Sequence, residues 1–434
     1  MSSPVSNPAV AADLESVVVR KLLLRLLPFL FLLYIVNYLD RINVGFAALQ
    51  MRSQLHFSED VFGTGFGIFF VGYFFLQVPS NLALARVGAR RWMAAIMVVW
   101  GIVSCAMITV RTPHGFYAMR FILGAAEAGF FPGIILYLKN WFPASARARA
   151  VAIFMTANPL AGVVGGPISG ALLNLHHFAL AGWQWMFIIE GLPAVLLAVV
   201  VLFTLKDRPS DATWLEEHER LWLEAVLQNE HLEKSKISGS DIVDAFINWR
   251  IWLLMVVYFG LTASAYGLIF WLPSYIKSLS HLGNFEIGIV SVIPYLVTAL
   301  AMVVIGARSD KSGKHRMYLT GSAFSAAVFL FIAAQTGSIV SGLAFITFAL
   351  AATFCMQGPF WATATSLMSG TAAAVAIALI NSFGNLGGYF GPVIIGSKRS
   401  SGSGFAGGML VITACLTLAG ILSLVVRQRR QHPS

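Results

Sequence analysis

The stretch LLPFLFLLYIVNYLDRINVGF, residues 26–46, decides which fold the sequence predicts. Its first part carries no charged side chain, yet Asp40 and Arg41 stand side by side in its second part. A helix of about 20 apolar residues crosses the roughly 30 Å of hydrocarbon in a bilayer. The stretch therefore predicts a membrane-spanning helix with two opposite charges inside the membrane.

The rest of the chain repeats this pattern, which predicts an all-α membrane protein with many spans. Of the 434 residues, 58% are hydrophobic and 11% are charged, whereas a soluble domain has about 25% charged residues. The first apolar block is too long for a signal peptide and lacks a cleavage site of small residues, so it is expected to remain as the first span. Twelve spans are predicted from hydrophobicity, at residues 22–47, 58–84, 90–110, 114–138, 147–172, 184–206, 251–278, 286–307, 315–335, 339–365, 372–396 and 404–427.

One long polar stretch separates the first six predicted spans from the last six. The sequence predicts a cytoplasmic tail at 1–21, a six-helix bundle at 22–206, a helical linker on the membrane face at 207–250, a second six-helix bundle at 251–427 and a tail at 428–434. Lysine and arginine concentrate in the loops after even-numbered spans, which places both termini in the cytoplasm. The net charge of +10 is therefore a topology signal and does not indicate nucleic-acid binding.

The two halves repeat short motifs at similar places. GVVGGPISG at 162–170 in span 5 corresponds to LGGYFGPVIIG at 386–396 in span 11, and NLALARVGARR at 81–91 corresponds to GARSDKSGKHR at 306–316. Internal repeats around a site at mid-membrane are the usual construction of a secondary transporter. Proline and glycine can also be kinks that neighbouring helices tolerate, but their repeated placement favours the repeat.

The polar turns after spans 2 and 8 resemble the cytoplasmic motif G-x-x-x-D-[RK]-x-G-x-[RK] of the major facilitator superfamily. The turn after span 8 matches it at Gly306, Asp310, Lys311 and Gly313. The turn after span 2 keeps Arg86, Gly88 and Arg90 but has Asn81 in place of glycine and Ala85 in place of aspartate. The resemblance implies a major facilitator fold, with twelve transmembrane helices in two six-helix bundles around a central cavity. It also implies that these motif residues control the conformational change, with more weight on the second copy.

Within that superfamily, three stretches resemble the anion:cation symporter family. They are NYLDRINVGFAAL at 37–49, RFILGAAEAGFFPG at 120–133 and MTANPLAGVVGGPISG at 155–170. That family includes bacterial permeases for tartrate, phthalate, hydroxyphenylacetate and sugar acids, and the vesicular glutamate transporters. The resemblance implies a monomeric multi-pass protein of the bacterial cytoplasmic (inner) membrane.

Five charged residues lie well inside the predicted spans, namely Asp40, Arg41, Arg120, Glu127 and Glu190. Each costs roughly 2.5–3.5 kcal/mol at mid-bilayer, so a wet cavity or pairing is expected. Asp40 and Arg41 point about 100° apart, and Arg120 and Glu127 share one helix face about 10 Å apart. The resemblance implies that spans 1 and 4 both line the cavity, so Asp40 is expected to meet Arg120, leaving Arg41 for a ligand. The alternative is a static ion-pair network, which is often no more stable than an apolar core.

The resemblance assigns roles to individual residues. It implies that Asp40 and Glu127 carry protons, that Arg41 binds the substrate carboxylate and that Arg120 is a second arginine of the charge relay. Substrate contacts are also implied at Tyr38, Tyr73, Asn158, Trp361 and Asn381. Helix bridging for Asn381 and packing for Trp361 remain open alternatives. Glu190 is interpreted as a structural partner, or as facing a water pocket, rather than as the carrier of the transported proton.

The charges of the four central residues sum to zero, which predicts coupling between a proton and an anion. Protonating one acid makes the site positive and favours the anion, and the coupling is reciprocal. The sequence thus predicts uptake of a small organic carboxylate, tartrate-like, aromatic or sugar acid, together with protons. Export or exchange is the alternative, because 162–170 contains the G-x-x-x-G-P-x-x-G pattern of proton-linked exporters. The sequence shows no metal cluster, nucleophile–base pair or phosphate loop, so we expect no enzyme activity, no metal and no cofactor. Its partners are then the anion, protons and the lipid bilayer.

Overall fold

The structure is a computed structural model that describes residues 8–232, 247–366 and 372–425. Helices make up the regular structure of these residues, apart from one isolated bridge between His177 and Leu180. Seventeen α-helices are described, with two short 3₁₀ turns at Met107–Thr109 and Pro209–Asp211. In chain order they are α1 Pro8–Leu55, α2 Glu59–Val87, α3 Ala89–Ala106, α4 Pro113–Glu127, α5 Phe130–Trp141, α6 Ala144–Met155, α7 Ala157–Leu172, α8 Gly182–Thr204, α9 Glu217–Leu232, α10 Trp249–Leu279, α11 Asn284–Ser312, α12 His315–Gln335, α13 Ile339–Cys355, α14 Gln357–Ser366, α15 Ala372–Asn385, α16 Gly387–Ser400 and α17 Gly404–Val425.

Eleven helical segments of the described chain are long and apolar enough to cross a membrane, which confirms an all-α membrane protein. They fall on eleven of the twelve predicted spans. The remaining predicted span, 372–396, coincides with α15 and α16. The first helix begins earlier than expected, at Pro8, and Val18 on this extension is fully buried.

The fourth and fifth spans of each half are interrupted, and the interruptions match between the halves. Span 4 breaks between α4 and α5 and span 10 between α13 and α14, while span 5 breaks at Thr156 and span 11 at Leu386. The residues at these interruptions keep right-handed helical dihedral angles, so each interruption is a local distortion within one span. Their matching positions in the two halves agree with the internal repeat that the sequence predicted.

The two halves touch most closely at the end of the bundle that holds the loop between α1 and α2. Helix α2 packs on α16, and a Cβ atom added to Gly67 would lie 2.6 Å from the carbonyl oxygen of Tyr389. Helix α7 packs on α11, and a Cβ atom added to Gly166 would lie 2.7 Å from the carbonyl oxygen of Gly288. The glycines therefore allow backbone-to-backbone contact that closes this end, which we call the α1–α2 end.

An ion cluster joins the halves at the same end. The Glu59 carboxylate lies 2.9 Å from the Arg399 guanidinium of the second half and 2.7 Å from that of Arg52. The Asp60 backbone N–H also donates to Ser400 Oγ at 3.1 Å. The α1–α2 end is thus held shut by charge pairing as well as by close packing.

The linker between the halves contains α9, which docks against the first half. Glu219 accepts a 2.6 Å hydrogen bond from Lys21 Nζ, and Glu230 accepts one of 2.7 Å from Arg147. Trp214 stacks on Trp141 with ring centroids 5.9 Å apart. A helix was predicted in this linker, and residues 233–246 of it lie outside the described residues.

Candidate functional site

Asp40 lies on α1 and faces α3 in a fully buried position. Trp100 Nε1 donates to its Oδ2 atom at 3.0 Å, and Ser104 Oγ donates to its Oδ1 atom at 2.8 Å. Asn43 Nδ2 approaches the same Oδ1 atom at 3.5 Å. Neutral donors therefore surround this carboxyl group, and the predicted contact between Asp40 and Arg120 is wrong.

Arg41 points away from Asp40 and pairs with Glu127, the last residue of α4. Its Nη2 atom lies 2.8 Å from Glu127 Oε2, which also accepts a 2.9 Å hydrogen bond from Asn37 Nδ2. Arg41 Nη1 donates to the Tyr266 hydroxyl of the second half at 3.4 Å. The expectation that Arg41 is left free for a ligand is therefore wrong for this conformation. The cause is the roughly 100° between neighbouring residues on a helix, which turns Arg41 towards α4 when Asp40 faces α3.

Of the two central arginines, Arg120 has no carboxylate partner within the described residues. It is fully buried, and its Nε atom donates to the Gly65 carbonyl oxygen at 3.2 Å. Within the part of the chain that the structure describes, its Nη1 and Nη2 atoms have no hydrogen-bond partner. Its guanidinium lies over the rings of Phe69 and Phe270, at 5.1 and 5.9 Å from their centroids. A buried guanidinium with two free donor nitrogens is an incomplete arrangement that a carboxylate would complete.

The predicted tyrosines of the first half come together around Arg41. The Arg41 guanidinium lies 5.9 Å from the Tyr38 ring centroid and 5.6 Å from that of Tyr73. The Phe69 ring, which also faces Arg120, is 5.0 Å from it. Phe69 therefore separates two arginines on a shared aromatic wall.

The other predicted substrate contacts lie apart from this arginine cluster or lack a described partner. Asn158, in the first turn of α7, is buried, and its Oδ1 atom has no partner in the described chain. Trp361 packs edge-on against Tyr258 and Phe360, with centroids 5.1 and 5.2 Å apart. Asn381 is partly buried on α15. The packing of Trp361 agrees with the alternative kept open for it, and its ring contacts within the described residues are with Tyr258 and Phe360.

Several residues of the site were not singled out from the sequence. Asn37 stands one helical turn before Arg41 inside the opening stretch, so i, i+4 spacing could have found it. No sequence spacing identifies Trp100, Ser104 or Tyr266, because their contacts depend on how α3 and α10 are rotated against α1. Neutral donors on separate helices leave no local pattern in a sequence.

The two copies of the cytoplasmic motif differ in their surroundings. In the first copy Arg86 is exposed and Gly88 has φ +93°. The Arg90 guanidinium lies 3.5 Å from the Asp207 carboxylate. The same carboxylate accepts a hydrogen bond from the Arg90 backbone N–H at 3.2 Å. Asp207 thus supplies a carboxylate to a motif that has alanine in the aspartate position.

The second copy of the motif ends α11 with a turn that requires glycine. Gly313 has φ +64°, and its backbone N–H donates to the Ser309 carbonyl oxygen at 3.0 Å. Asp310 is exposed, with one oxygen 3.9 Å from His315 Nδ1. Gly306 would meet no atom within 4 Å of an added Cβ, and Lys311 is exposed. The acidic and basic side chains of this copy thus lie at the surface in this conformation.

The site as a whole brings two arginines and two acids together in the first half. Its four central charges sum to zero, but they are unevenly paired, since Arg41 and Glu127 form an ion pair. Arg120 supplies unsatisfied donors and Asp40 accepts from neutral ones. In the described chain no group of three or more His, Cys, Asp or Glu residues could hold a metal ion. The site therefore presents buried guanidinium groups beside buried carboxyl groups.

Comparisons with known proteins give the chain a family. The family model described as Major Facilitator Superfamily matches residues 30–392. A protein of Agrobacterium vitis provisionally named a tartrate transporter is 49% identical over 416 residues, 96% of each chain. A quinolone resistance transporter of Acinetobacter baumannii is 36% identical over 415 residues, 95% of this chain and 96% of that protein. The crystal structure of a bacterial homologue of the human lysosomal transporter Spinster matches with a TM-score of 0.75 at 16% identity, covering 92% of this chain and 96% of that one.

Proposed function

The chain belongs to the Major Facilitator Superfamily, with the fold of that family, and from this premise we propose that it takes up a small organic carboxylate together with protons. It is a multi-span secondary transporter and not an enzyme. The proposed cycle is alternating access in a bacterial cytoplasmic membrane, with both termini in the cytoplasm. The proposed cargo is a tartrate-like, aromatic or sugar acid.

The observation that carries the proposal is the incomplete environment of Arg120. A planar guanidinium with both Nη atoms free can hold a carboxylate through two parallel hydrogen bonds. Its burial against Phe69 and Phe270 removes competing water, so an anion that reaches it is held more strongly than at the surface. We therefore assign the first carboxylate contact to Arg120 in this conformation, while Arg41 is held by Glu127.

The Arg41–Glu127 pair supports coupling to protons. Protonation of Glu127 removes its negative charge and weakens its hold on the Arg41 guanidinium, which lies 2.8 Å away. Arg41 then becomes available to the substrate, either to the same carboxylate or to a second one. Proton binding and anion binding thus favour each other, and each raises the affinity for the other by the same factor.

The chemistry of the walls supports a small acid with a short backbone. Phe69 lies between the two arginines, and Tyr38 and Tyr73 offer rings and hydroxyl groups around Arg41. Two arginines separated by one aromatic ring suit a compound with two carboxylates, and the Agrobacterium vitis relative is provisionally named for such a compound, tartrate. Rings also suit an aromatic acid, so a panel of both classes is needed.

The experiment is uptake into proteoliposomes that contain the purified chain. We expect an imposed pH gradient, acid outside, to drive accumulation of labelled tartrate or of another carboxylate from a panel of dicarboxylic, aromatic and sugar acids. Thermal stabilisation of the protein by the same panel identifies the ligand independently of transport. Thermal stabilisation without pH-driven accumulation would support an organic-anion carrier but reject proton coupling. Absence of both stabilisation and accumulation would reject the proposal.

Export or exchange is the second candidate, and the glycine pattern at 162–170 is the observation that favours it. In the structure Gly166 and Gly170 let α7 approach α11, at Gly288 and Asn284. This close packing of α7 on α11 explains why the pattern contains glycines, and the explanation holds for export and for uptake alike. Comparing inverted with right-side-out vesicles separates the two candidates, since export would accumulate substrate only in inverted ones.

A further inference from the structure

A cleft lies between α12 and α17 at the end of the bundle opposite the α1–α2 end, and the proposed function does not use it. Helix α11 starts near the α1–α2 end, and its 29 residues extend roughly 43 Å, so α12 begins at the opposite end. The cleft has a volume of about 590 Å³, and Lys314, Arg316, Met317, Gly321 and Leu424 are among the residues that line it. The orientation predicted from lysine and arginine places this end in the cytoplasm.

The start of α12 and the end of α17 are joined by polar contacts beside the cleft. Arg316 is the second residue of α12 and donates to the carbonyl oxygen of Leu424, near the end of α17. The last carbonyl groups of a helix lack partners within the helix, so Arg316 caps α17. One turn further along α12, the Thr320 and Ser423 hydroxyl oxygens lie 2.6 Å apart. The capping bond uses one of the five N–H donors of the guanidinium, so it does not exhaust the capacity of Arg316 to bind an anion.

The basic side chains of the cleft have no carboxylate partner in the described chain. Lys314 is exposed, and neither Lys314 nor Arg316 forms an ion pair there. Asp310 is the one acid of the motif that precedes α12, and its carboxylate lies 3.9 Å from His315 Nδ1. After α17, residues 426–434 contain three arginines and no acid. The cleft is therefore positively charged and lacks a counter-ion among the described residues.

The first half shows the same arrangement with a counter-ion in place. Arg90 is the second residue of α3, and its Nη1 atom donates to the Leu202 carbonyl oxygen near the end of α8 at 3.4 Å. The Arg90 Nε atom lies 3.5 Å from the Asp207 carboxylate. The arginine that caps a helix end in the first half thus has a carboxylate from its own chain. At the corresponding place in the second half, an anion from outside the chain would fill that position beside Arg316.

Exposed apolar side chains adjoin the positive charge. Met317, Leu424 and Val425 are 58%, 48% and 51% exposed, and the first two line the cleft itself. In a protein that spans the bilayer, such side chains on α12 and α17 face hydrocarbon rather than water. Gly321 adds space beside them, because a Cβ atom added there meets no atom within 4 Å. A ligand with an anionic head and an apolar chain therefore matches the cleft better than a small soluble anion.

We propose that this cleft binds an anionic phospholipid, with its phosphodiester group at Lys314 and Arg316 and one acyl chain against Met317 and Leu424. A guanidinium forms paired hydrogen bonds with phosphate oxygens, and basic pockets between membrane-spanning helices bind anionic lipid headgroups. The lipid supplies the negative charge that Asp207 supplies in the first half. This binding depends neither on the cargo nor on proton coupling, since the cleft lies outside the site that holds the two central arginines.

Native mass spectrometry of the purified full chain tests this binding. The protein in detergent is titrated with phosphatidylglycerol and, separately, with phosphatidylcholine of the same acyl chains, which is zwitterionic. We expect one phosphatidylglycerol molecule to bind with an apparent affinity at least about tenfold higher than that of phosphatidylcholine, since each basic side chain near an anionic headgroup contributes. Equal retention of the two lipids would overturn the proposal, and the basic residues would then serve membrane topology alone.

Variants localise the binding to the cleft. Lys314→Gln removes an exposed charge, and Gly321→Phe fills the cleft while keeping every charge, so each should weaken retention of phosphatidylglycerol severalfold. The control is Arg91→Gln together with Arg149→Gln, which removes two exposed charges outside the cleft and should leave retention unchanged. An equal loss in the control, or unchanged retention in both cleft variants, would show a non-specific charge effect and overturn the site.

A soluble phosphate is the other source of the same negative charge. Glycerol 3-phosphate carries the charge of a headgroup without acyl chains, so we expect it neither to raise the melting temperature of the protein nor to displace bound phosphatidylglycerol. Phosphatidylglycerol itself should raise the melting temperature of the unmodified protein and not that of Gly321→Phe. Displacement by glycerol 3-phosphate would assign the cleft to a soluble anion and overturn the lipid as its ligand.

Discussion

Arg41 Nη2 lies 2.8 Å from Glu127 Oε2, and this ion pair connects the first span to the broken fourth span. Glu127 is the last residue of α4, where the helix is interrupted before α5. Protonation of Glu127 would remove the charge that holds the Arg41 guanidinium. The pair is therefore placed where one proton can change the contact between the first span and the fourth.

The first prediction concerns this pair. Glu127→Gln keeps a hydrogen-bond acceptor for Arg41 and Asn37 but fixes the neutral state. We expect pH-driven accumulation to be lost, while counterflow between equal pools of substrate continues, because the anion site remains intact. Counterflow and accumulation in proteoliposomes measure the two separately, with Glu286→Gln as the control acid. Loss of both in a folded protein would mean that the pair is structural.

The second prediction separates the two arginines. We expect Arg120→Lys to raise the apparent KM for substrate at least tenfold, because an ammonium cannot form the paired hydrogen bonds of a guanidinium. Hydrogen bonds to charged groups contribute about 1.5–3 kcal/mol, and 1.4 kcal/mol corresponds to about tenfold in affinity. Arg111→Lys is the matched control, since that guanidinium donates to backbone carbonyl oxygens in a loop outside the site. A KM within twofold of the unmodified protein would exclude Arg120 as the anion contact.

We expect Arg41→Lys to abolish uptake while the protein still inserts into the membrane. Lysine would lose the contact to the Tyr266 hydroxyl of the second half as well as the pairing geometry with Glu127. Uptake at near-normal rates in Arg41→Lys would show that neither contact is needed during the cycle. Together with Arg120→Lys, this variant shows whether one arginine or both handle the anion.

The sequence predicted the architecture well for a physical reason. Blocks of about 20 apolar residues determine where the spans lie, whereas the orientation indicated by lysine and arginine stays a prediction. Those signals are local in the chain. The interruptions at Thr156 and Leu386 were less visible, because glycine and proline near them are compatible with continuous kinked helices.

The pairing of the buried charges could not be predicted in the same way. Sequence spacing shows that Asp40 and Arg41 diverge by about 100° on a helix, but it does not show which neighbour each one faces. That depends on the rotation of α1 against α3 and α4. The partners of Asp40 are the neutral side chains of Trp100 and Ser104, so a search for opposite charges leads to Arg120 instead.

The next prediction concerns the ion cluster at the α1–α2 end. Glu59→Gln removes the pairing with Arg399 of the second half, 2.9 Å away. We expect spin labels at the exposed positions Ser53 and Ser401 to show a shift towards longer distances, because the closed state loses a contact that the open state lacks. Pulsed electron resonance in nanodiscs measures the distance distribution. Glu230→Gln, which breaks the pair between the linker and Arg147 of the first half, should leave the distribution unchanged, and an equal shift in both variants would contradict a gate at Glu59.

A pH prediction follows for the linker, outside the membrane. Burial raises the pKa of Glu219. Hydrogen bonds from Lys21 and from the Glu216 backbone lower this pKa, as does the positive charge of Lys21, and together they outweigh burial. The pKa of Glu219 is therefore below its usual range. A lowered folded-state pKa stabilises docking above the ordinary pKa of glutamate, about 4.3, and this stabilisation is lost as the pH falls through the folded value. We expect proteolysis in the linker to increase at acid pH, and Glu219→Gln to remove that dependence. A linker cut equally at all pH values would contradict it.

The last prediction concerns charge movement during transport. Asp40 and Glu127 lie on different spans with separate partners, Trp100 and Ser104 for one and Arg41 and Asn37 for the other. They can therefore titrate at different steps of the cycle. If both carry a proton, a monoanion moves one positive charge inward per cycle, and a dianion such as tartrate moves none. Each elementary charge contributes about 2.3 kcal/mol per 100 mV of potential, so the difference is measurable.

We expect an inside-negative potential, imposed with equal pH on both sides, to accelerate uptake of a monocarboxylate and to leave uptake of a dicarboxylate unchanged. The dicarboxylate is the matched control, because it uses the same protein and the same two acids. If the potential does not affect a monocarboxylate that is shown to be transported, one acid carries the proton. That acid would be Glu127, because its protonation releases Arg41 for the anion, whereas Asp40 faces neutral donors and has no arginine to release.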